Sequence, residues 1–309
     1  MSCDLPADVS EDLRAPKAPA SLDQRTFLVG GCGDYMVSAY PEAAECVIVA
    51  CVGQAVRPLD EADEDESVSG LDPVERTDEE QAAVDRSNWE RANRRAVTES
   101  RRYFVANRLR YQWVLTYAGE GLHGPVGRNV CMHDVAAFVR RFRQAFGDLA
   151  YWFSPELHPD GHGWHVNFYV ANRLNHAEMQ ELWGHGHVWV SDKTKHPAVV
   201  SQNLTFVEAL RLAAMYACKY AVKDWAPESI GSRRHRYSCA ENHRPIKGIY
   251  RCASLVDAIE FAEHVLRGPA ASTWSSLDDP EWEGPPVWCL RWSTGVDPPT
   301  TWTINSGQP

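Results

Sequence analysis

The sequence predicts an α+β fold in which an antiparallel sheet carries helices packed on one face. Three observations predict it. Strand-like and helix-like segments follow in the order strand, helix, strand, strand, helix, strand, helix, without the strict alternation of a doubly wound parallel sheet. The runs AYWFSPEL (150–157) and WHVNFYV (164–170) are joined by HPDGHG, a set of turn-forming residues that reads as a hairpin loop. Before them, HDVAAFVRRFRQAF puts Val135, Phe138, Val139, Phe142 and Phe146 on one stripe and Arg140, Arg141 and Arg143 on the other side, an amphipathic helix in need of an apolar surface.

The elements follow in order. Residues 1–25 are polar, with Pro and Ala among acids, the composition of a disordered tail. Residues 26–57 form a short β segment: TFLVGG, DYMVSAY and ECVIVACVG are apolar or alternating runs divided by Gly and Pro. Residues 58–85 are acidic and of low complexity, and read as a linker, or as a polyanion folded back on a basic surface. A domain over 86–250 follows. Arg86–Arg110 is Arg-rich at helical spacing; YQWVLTYA (111–118) alternates as a strand; NHAEMQELW is a short helix and GHVWVSD a strand. A helix over Thr205–Trp225 opens on Thr205 with Glu208 three residues later, a capping box. Residues 251–309 supply a helix, Leu255–Leu266, and a Trp- and Pro-rich tail with no predicted element.

Charge and cysteine usage narrow the function classes. The net charge is −11, yet residues 1–85 hold 20 acids and 5 bases while 86–143 hold 12 bases and 4 acids and 193–251 hold 11 bases and 4 acids. Two basic blocks in an acidic chain are compatible with a polyanion site as well as with ordinary solvated faces. The apolar runs fall short of the roughly 20 residues of a membrane helix. Without a charged-then-apolar leader, and with nine scattered cysteines, the expectation is a cytoplasmic protein with reduced thiols and no membrane partner.

Two segments carry candidate chemistry. In the hairpin, alternation turns His165, Asn167 and Tyr169 to one face and Val166, Phe168 and Val170 to the core. Glu156, or His158 if its strand continues, can then stand beside His165 and Asn167. An imidazole, a carboxylate and an amide oxygen make a mixed set better suited to Mg²⁺ or Mn²⁺ than to structural zinc; a histidine with a purely structural role is the simpler alternative. In the helix MYACKYAVKDW, Tyr216 and Tyr220 lie one turn apart on one face, and each is followed three residues later by a lysine, Lys219 and Lys223. An ammonium beside a phenol favours the phenolate and can hold a phosphate, whereas tyrosines edging a core need no such role.

In this order the segments resemble the rolling-circle replication initiators of plasmids and small DNA phages, the histidine-hydrophobic-histidine (HUH) endonucleases, in their two-tyrosine subgroup. VLTY resembles their first motif, PELHPDGHGWHVNFYV their metal motif, ELWGHGHVWV the strand that follows it, and YACKY their Tyr-x-x-Lys-Tyr motif; the likeness spans roughly 105–225. It implies a palm-like sheet of the HUH/RRM kind, a Mg²⁺ or Mn²⁺ ion at Glu156, His165 and Asn167, with His158 or His162 as a compensating ligand, and Tyr216 and Tyr220 as nucleophiles assisted by Lys219 and Lys223. It also implies nicking and rejoining of single-stranded origin DNA through a 5′-phosphotyrosine. The chain departs from the pattern at Asn167, where the family has a second histidine. His185-Gly-His187 is a competing pair, set aside because glycine supplies no core-facing anchor between the two. No G-x-x-x-x-G-K-[ST] occurs, so unwinding and polymerisation would fall to a host helicase and a host DNA polymerase. A two-tyrosine transposase or relaxase, and an inactive DNA-binding regulator of the same fold, are the alternatives.

Overall fold

A computed structural model describes residues 26–31, 33–51, 77–119, 121–158, 163–223, 237–282 and 284–297. The tail expected over 1–25, most of the acidic linker, His162 and Trp225 lie outside the described residues. The fold is α+β, as the element order predicts, and is built on two sheets.

The smaller sheet contains the hairpin. Its strands are β4 (Tyr111–Leu115), β5 (Tyr151–Leu157), β6 (Trp164–Val170), β7 (Val188–Asp192) and β8 (Ser238–Cys239), in the order β7-β4-β6-β5-β8, all antiparallel. Alternation gives it two faces. Trp113, Leu115, Phe153, Val166 and Phe168 pack against α2 (Gly124–Phe146) and α3 (His176–Trp183), where Val135, Phe138 and Phe142 are fully buried. On the other face Trp152 and Tyr169 pack against α1 (Asp78–Ala106) and α5 (Phe206–Lys223) through Phe104, Ala213, Ala214, Ala217 and Cys218. Helices therefore cover both faces rather than one. The reason is Tyr169: it shares the polar-looking face of His165 and Asn167, yet with Trp152 opposite it forms an aromatic floor that must be roofed. The short α4 (Pro197–Val200) joins β7 to α5.

The larger sheet is assembled from both ends of the chain. Strands β1 (Thr26–Gly31), β2 (Tyr35–Tyr40), β3 (Glu45–Ala50), β9 (Lys247–Cys252), β10 (Ser272–Ser275) and β11 (Val287–Arg291) lie in the order β1-β9-β2-β3-β11-β10, antiparallel except for the parallel pair β1–β9. The β segment at 26–57 and the region after 251 thus share one sheet, and the tail that showed no predicted element supplies two of its strands. Helix α6 (Leu255–Val265) packs Ala258, Ala262 and Val265 against Val37, Ala39, Cys46 and Ile48.

α1 and α5 touch both sheets, since Val105, Val207 and Leu210 join the core of the larger one. Two charged side chains, Glu45 and Arg211, fix the arrangement. Glu45, 1% exposed, accepts from Arg101 Nη2 at 2.9 Å and Arg102 Nε at 2.7 Å, with Arg291 Nε at 3.8 Å. Arg211 of α5 donates to the carbonyls of Ala44 and Trp292 at 2.7 and 3.0 Å. α1 begins at Asp78, eight residues before the sequence-based start, because Thr77 and Glu80 form a capping box and Asp78, Glu79 and Glu80 suit the positive end of a helix. The end of the acidic stretch is therefore helix. The expected capping box of α5 is present: Glu208 accepts from Thr205 N at 2.8 Å, and Thr205 Oγ1 accepts from Glu208 N at 3.3 Å. All described cysteines are free thiols. No helix among the described residues is long and apolar enough to cross a membrane.

Candidate metal and nucleophile site

The hairpin register brings the predicted polar residues together. Glu156 stands directly opposite His165, and Ser154 opposite Asn167, so Asn167 is the diagonal neighbour of Glu156 on the same face. Register depends on the closing turn, where His158 N donates to Gly163 O at 2.9 Å. Gly163 adopts φ +83° and returns the strand against Leu122; a Cβ there would meet the Leu122 carbonyl oxygen. Trp164 N donates to that same oxygen at 2.6 Å, which ties the hairpin to the segment leading into α2.

Glu156 Oε2 is the centre of the cluster. His165 Nε2 lies 3.1 Å from it and Asn167 Nδ2 donates to it at 2.6 Å. The side chains of His165 and Glu156 are 13% and 14% exposed. Burial pushes the Glu156 carboxyl up, but the bonds from His165 and Asn167 and the nearby His158 imidazole outweigh it, so its pKa falls below the ordinary carboxylate value. The His158 ring sits 5.7 Å from the His165 ring, close to the cluster. Gln112 was not anticipated. It lies on β4, diagonal to Asn167, and its Nε2 donates to Asn167 Oδ1 at 2.6 Å. Its position could be found from the alternation of YQWVL, but only once β4 is known to pair with β6.

The donor set was tested against a divalent cation. Among the described residues no group of three or more His, Cys, Asp or Glu side chains is gathered to hold a metal. What converges is one imidazole nitrogen, one carboxylate and one amide, the hard mixed set that Mg²⁺ and Mn²⁺ accept. The Asn167 carbonyl accepts from Gln112, so its NH2 faces Glu156; presenting Oδ1 there requires the Asn167 and Gln112 amides to turn together, so that Gln112 Oε1 accepts from Asn167 Nδ2. As placed, the donors presented together are His165 and Glu156; with both amides turned, Asn167 would add an oxygen and complete a three-donor set of the kind a Mg²⁺ or Mn²⁺ ion accepts.

α5 lies over the same sheet face as this cluster, as its contacts with Trp152 and Tyr169 require. α1 flanks one side of α5, with Val105 packed in one cluster with Val207 and Leu210, and Ser100 bonded to Cys218. Tyr216 is on the side away from α1. It is 41% exposed, and its ring lies 6.3 Å from that of His196, just after β7. Lys219, Tyr220 and Lys223 are helical positions of α5, with Tyr220 one turn beyond Tyr216; their side chains lie outside the described residues.

The remaining motif residues have structural partners. Thr116 Oγ1 donates to His187 O at 2.8 Å, and Tyr117 OH donates to Asp134 at 3.1 Å. Burial, then Cys131 and Asp134, push the Tyr117 phenol up, which leaves it a poor nucleophile. His185 packs between Trp183 and Tyr117, with ring centroids at 4.9 and 5.6 Å, and its Nε2 lies 4.0 Å from Asp134. Gly186 is needed for close approach: a Cβ would meet the Thr116 carbonyl oxygen. The arginines of α2 lie across the sheet from the cluster, where Arg141 donates to Leu182 O and Arg143 to the Tyr151 hydroxyl. The exposed Arg86, Arg91, Arg94 and Arg95 line the first half of α1.

Comparison with protein-family models, curated proteins and solved structures gave no match to this chain.

Proposed function

We propose that this protein is a metal-dependent, site-specific nickase and strand transferase acting on single-stranded DNA, of the kind that initiates rolling-circle replication. The observation that carries the reading is the convergence of Glu156, His165 and Asn167 within hydrogen-bond reach on the sheet face under α5, the helix of the paired tyrosines. On this reading Glu156, His165 and Asn167 would hold a Mg²⁺ or Mn²⁺ ion, with His158 adjacent, and the chemistry gained would be Lewis acidity toward the phosphate. The chain's own groups do the rest. The phenol of Tyr216 or Tyr220 gives up its proton to solvent and attacks phosphorus with its oxygen, the P–O3′ bond breaks, and the departing 3′ oxygen takes up a proton from solvent. The 5′ phosphate stays on tyrosine, which conserves the phosphodiester for rejoining and leaves a 3′-OH as primer. Lys219 and Lys223 stabilise the negative charge that develops. Gln112, with its own amide turned, would accept from Asn167 Nδ2 and hold Asn167 Oδ1 toward the ion. Origin DNA, a host helicase and a host DNA polymerase are the partners this chemistry requires.

The test is a covalent adduct. The protein is incubated with Mn²⁺ and a 3′-end-labelled, randomised single-stranded oligonucleotide pool, then resolved under denaturing conditions. Label should migrate with the protein, persist when either Tyr216→Phe or Tyr220→Phe is made alone, and disappear in the double variant. Label that survives the double variant refutes the assignment.

One observation favours a second reading. Asn167 stands where the resemblance calls for histidine, and its amide is held at both ends by Glu156 and Gln112. A DNA-binding regulator that has lost catalysis would keep such a locked cluster. It would bind the pool and give no adduct.

A further inference from the structure

The sheet face that holds the cluster is not evenly roofed. Over β5 and β6 the helices bury Trp152 and Tyr169 almost completely. At the far edge of the same sheet, on β7, Trp189 is 66% exposed. Its neighbours Val188 and Val190 point into the α2/α3 core, so alternation turns Trp189 to the cluster's face. The pairing makes this concrete: Trp189 is paired with Val114, and Val114 with Asn167, in one cross-strand row. At a strand spacing of about 4.8 Å, the Trp189 backbone stands about 10 Å from that of Asn167.

An isolated apolar side chain in water needs no ligand, but Trp189 is continuous with the site. Strand β7 leads through Lys193 and Lys195 to His196, whose ring approaches Tyr216 on α5. The open indole therefore lies in the Asn167 row, while Lys193, Lys195 and the Tyr216 turn of α5 follow farther along the same sheet edge, beyond the row of Tyr111 and Val170. An aromatic plane open on a sheet edge, with cations farther along that edge, is a combination on which unpaired bases stack while the backbone is held electrostatically.

We propose that Trp189 is a base-stacking platform for single-stranded DNA entering or leaving the site. The inference rests on the strand-transferase reading for its choice of ligand and adds the place where a base neighbouring the scissile phosphate lies. Stacking is indifferent to base identity, so Trp189 sets affinity and the path of the strand rather than origin sequence.

Fluorescence anisotropy of the full chain with labelled single-stranded oligothymidylate and with the randomised pool tests this. Trp189→Thr keeps strand propensity and removes the plane; Trp189→Phe keeps a smaller plane. Threonine should weaken binding roughly 5- to 150-fold, the span that one to three kcal/mol per stacked base implies. Phenylalanine should recover most of the loss, and the salt dependence should stay as in wild type, because no phosphate contact is removed. Wild-type affinity in the threonine variant overturns the platform while leaving the adduct chemistry standing. A change in sedimentation with no change in DNA affinity overturns it too, and marks Trp189 as a contact between copies. If wild type binds no single-stranded DNA, platform and nuclease reading fall together. A threonine defect in a protein that forms no adduct supports the platform and removes only the nuclease.

Discussion

Glu45→Gln should be the most costly single-atom exchange in the molecule. Glu45 is 1% exposed and is gripped by Arg101 at 2.9 Å and Arg102 at 2.7 Å, with Arg291 at 3.8 Å. Two hydrogen bonds to a charged acceptor are worth about 1.5–3 kcal/mol each. An independent route, removal of one partner from a buried ion pair, gives about 3–5 kcal/mol, because the arginines are left facing an uncharged amide. The two agree on about 3–5 kcal/mol, a large part of the 5–15 kcal/mol typical of a domain. Burial pushes the Glu45 carboxyl up and the arginines pull it down further, so its folded pKa lies below the ordinary value of 4.5. The stabilisation is therefore complete above the unfolded pKa and is lost as pH falls through the folded one. Urea denaturation of wild type and variant at neutral and acidic pH is the assay. A deficit near 3–5 kcal/mol at neutral pH should shrink as wild-type Glu45 becomes protonated. A neutral-pH deficit below about 1 kcal/mol, or one that stays constant into acid, would refute the reasoning, since 0–1 kcal/mol is what an exposed pair contributes.

Other outcomes follow from the cluster. Mn²⁺ should raise the thermal midpoint, by the equivalent of about 2.7 kcal/mol at a hundredfold excess over Kd; His165→Ala and Glu156→Gln should each abolish the shift in a thermal scan. Gln112→Ala frees one end of the Asn167 amide. It should cost about 0.5–1.5 kcal/mol of stability and about 10- to 100-fold in Mn²⁺ affinity by isothermal titration, and unchanged affinity would remove Gln112 from any orienting role.

What could be read from the sequence divides by distance along the chain. The Glu156–His165 juxtaposition is legible because a short loop of turn residues fixes the register of two adjacent strands. The stripe of Val135, Phe138 and Phe142 is legible because helical periodicity is local. Gln112 is not, since β4 and β6 are separated by α2 and β5, and nothing local says which strands pair. The parallel pairing of β1 with β9 joins residues more than two hundred positions apart, which makes one sheet of segments that look like a leading β piece and a tail. Tyr169 shows where alternation misleads: it assigns a side chain to a face but not to a neighbour, and an aromatic on a polar-looking face drew a second helical layer over the sheet. Asn167 was legible as a ligand candidate, whereas its clamping between Glu156 and Gln112 needed the register.

Arg211 has a consequence for dissection of the molecule. One guanidinium ties the middle of α5 to the carbonyls of Ala44 and Trp292, residues that belong to opposite ends of the polypeptide. A fragment cut to retain the hairpin and the paired tyrosines while discarding the first fifty residues would leave Arg101 and Arg102 without the Glu45 carboxylate and Arg211 with the Trp292 carbonyl as its one remaining acceptor of the two. The contiguous stretch that bears the motifs therefore lacks part of what seats α1 and α5, whose keystone is laid by the earliest and the latest strands.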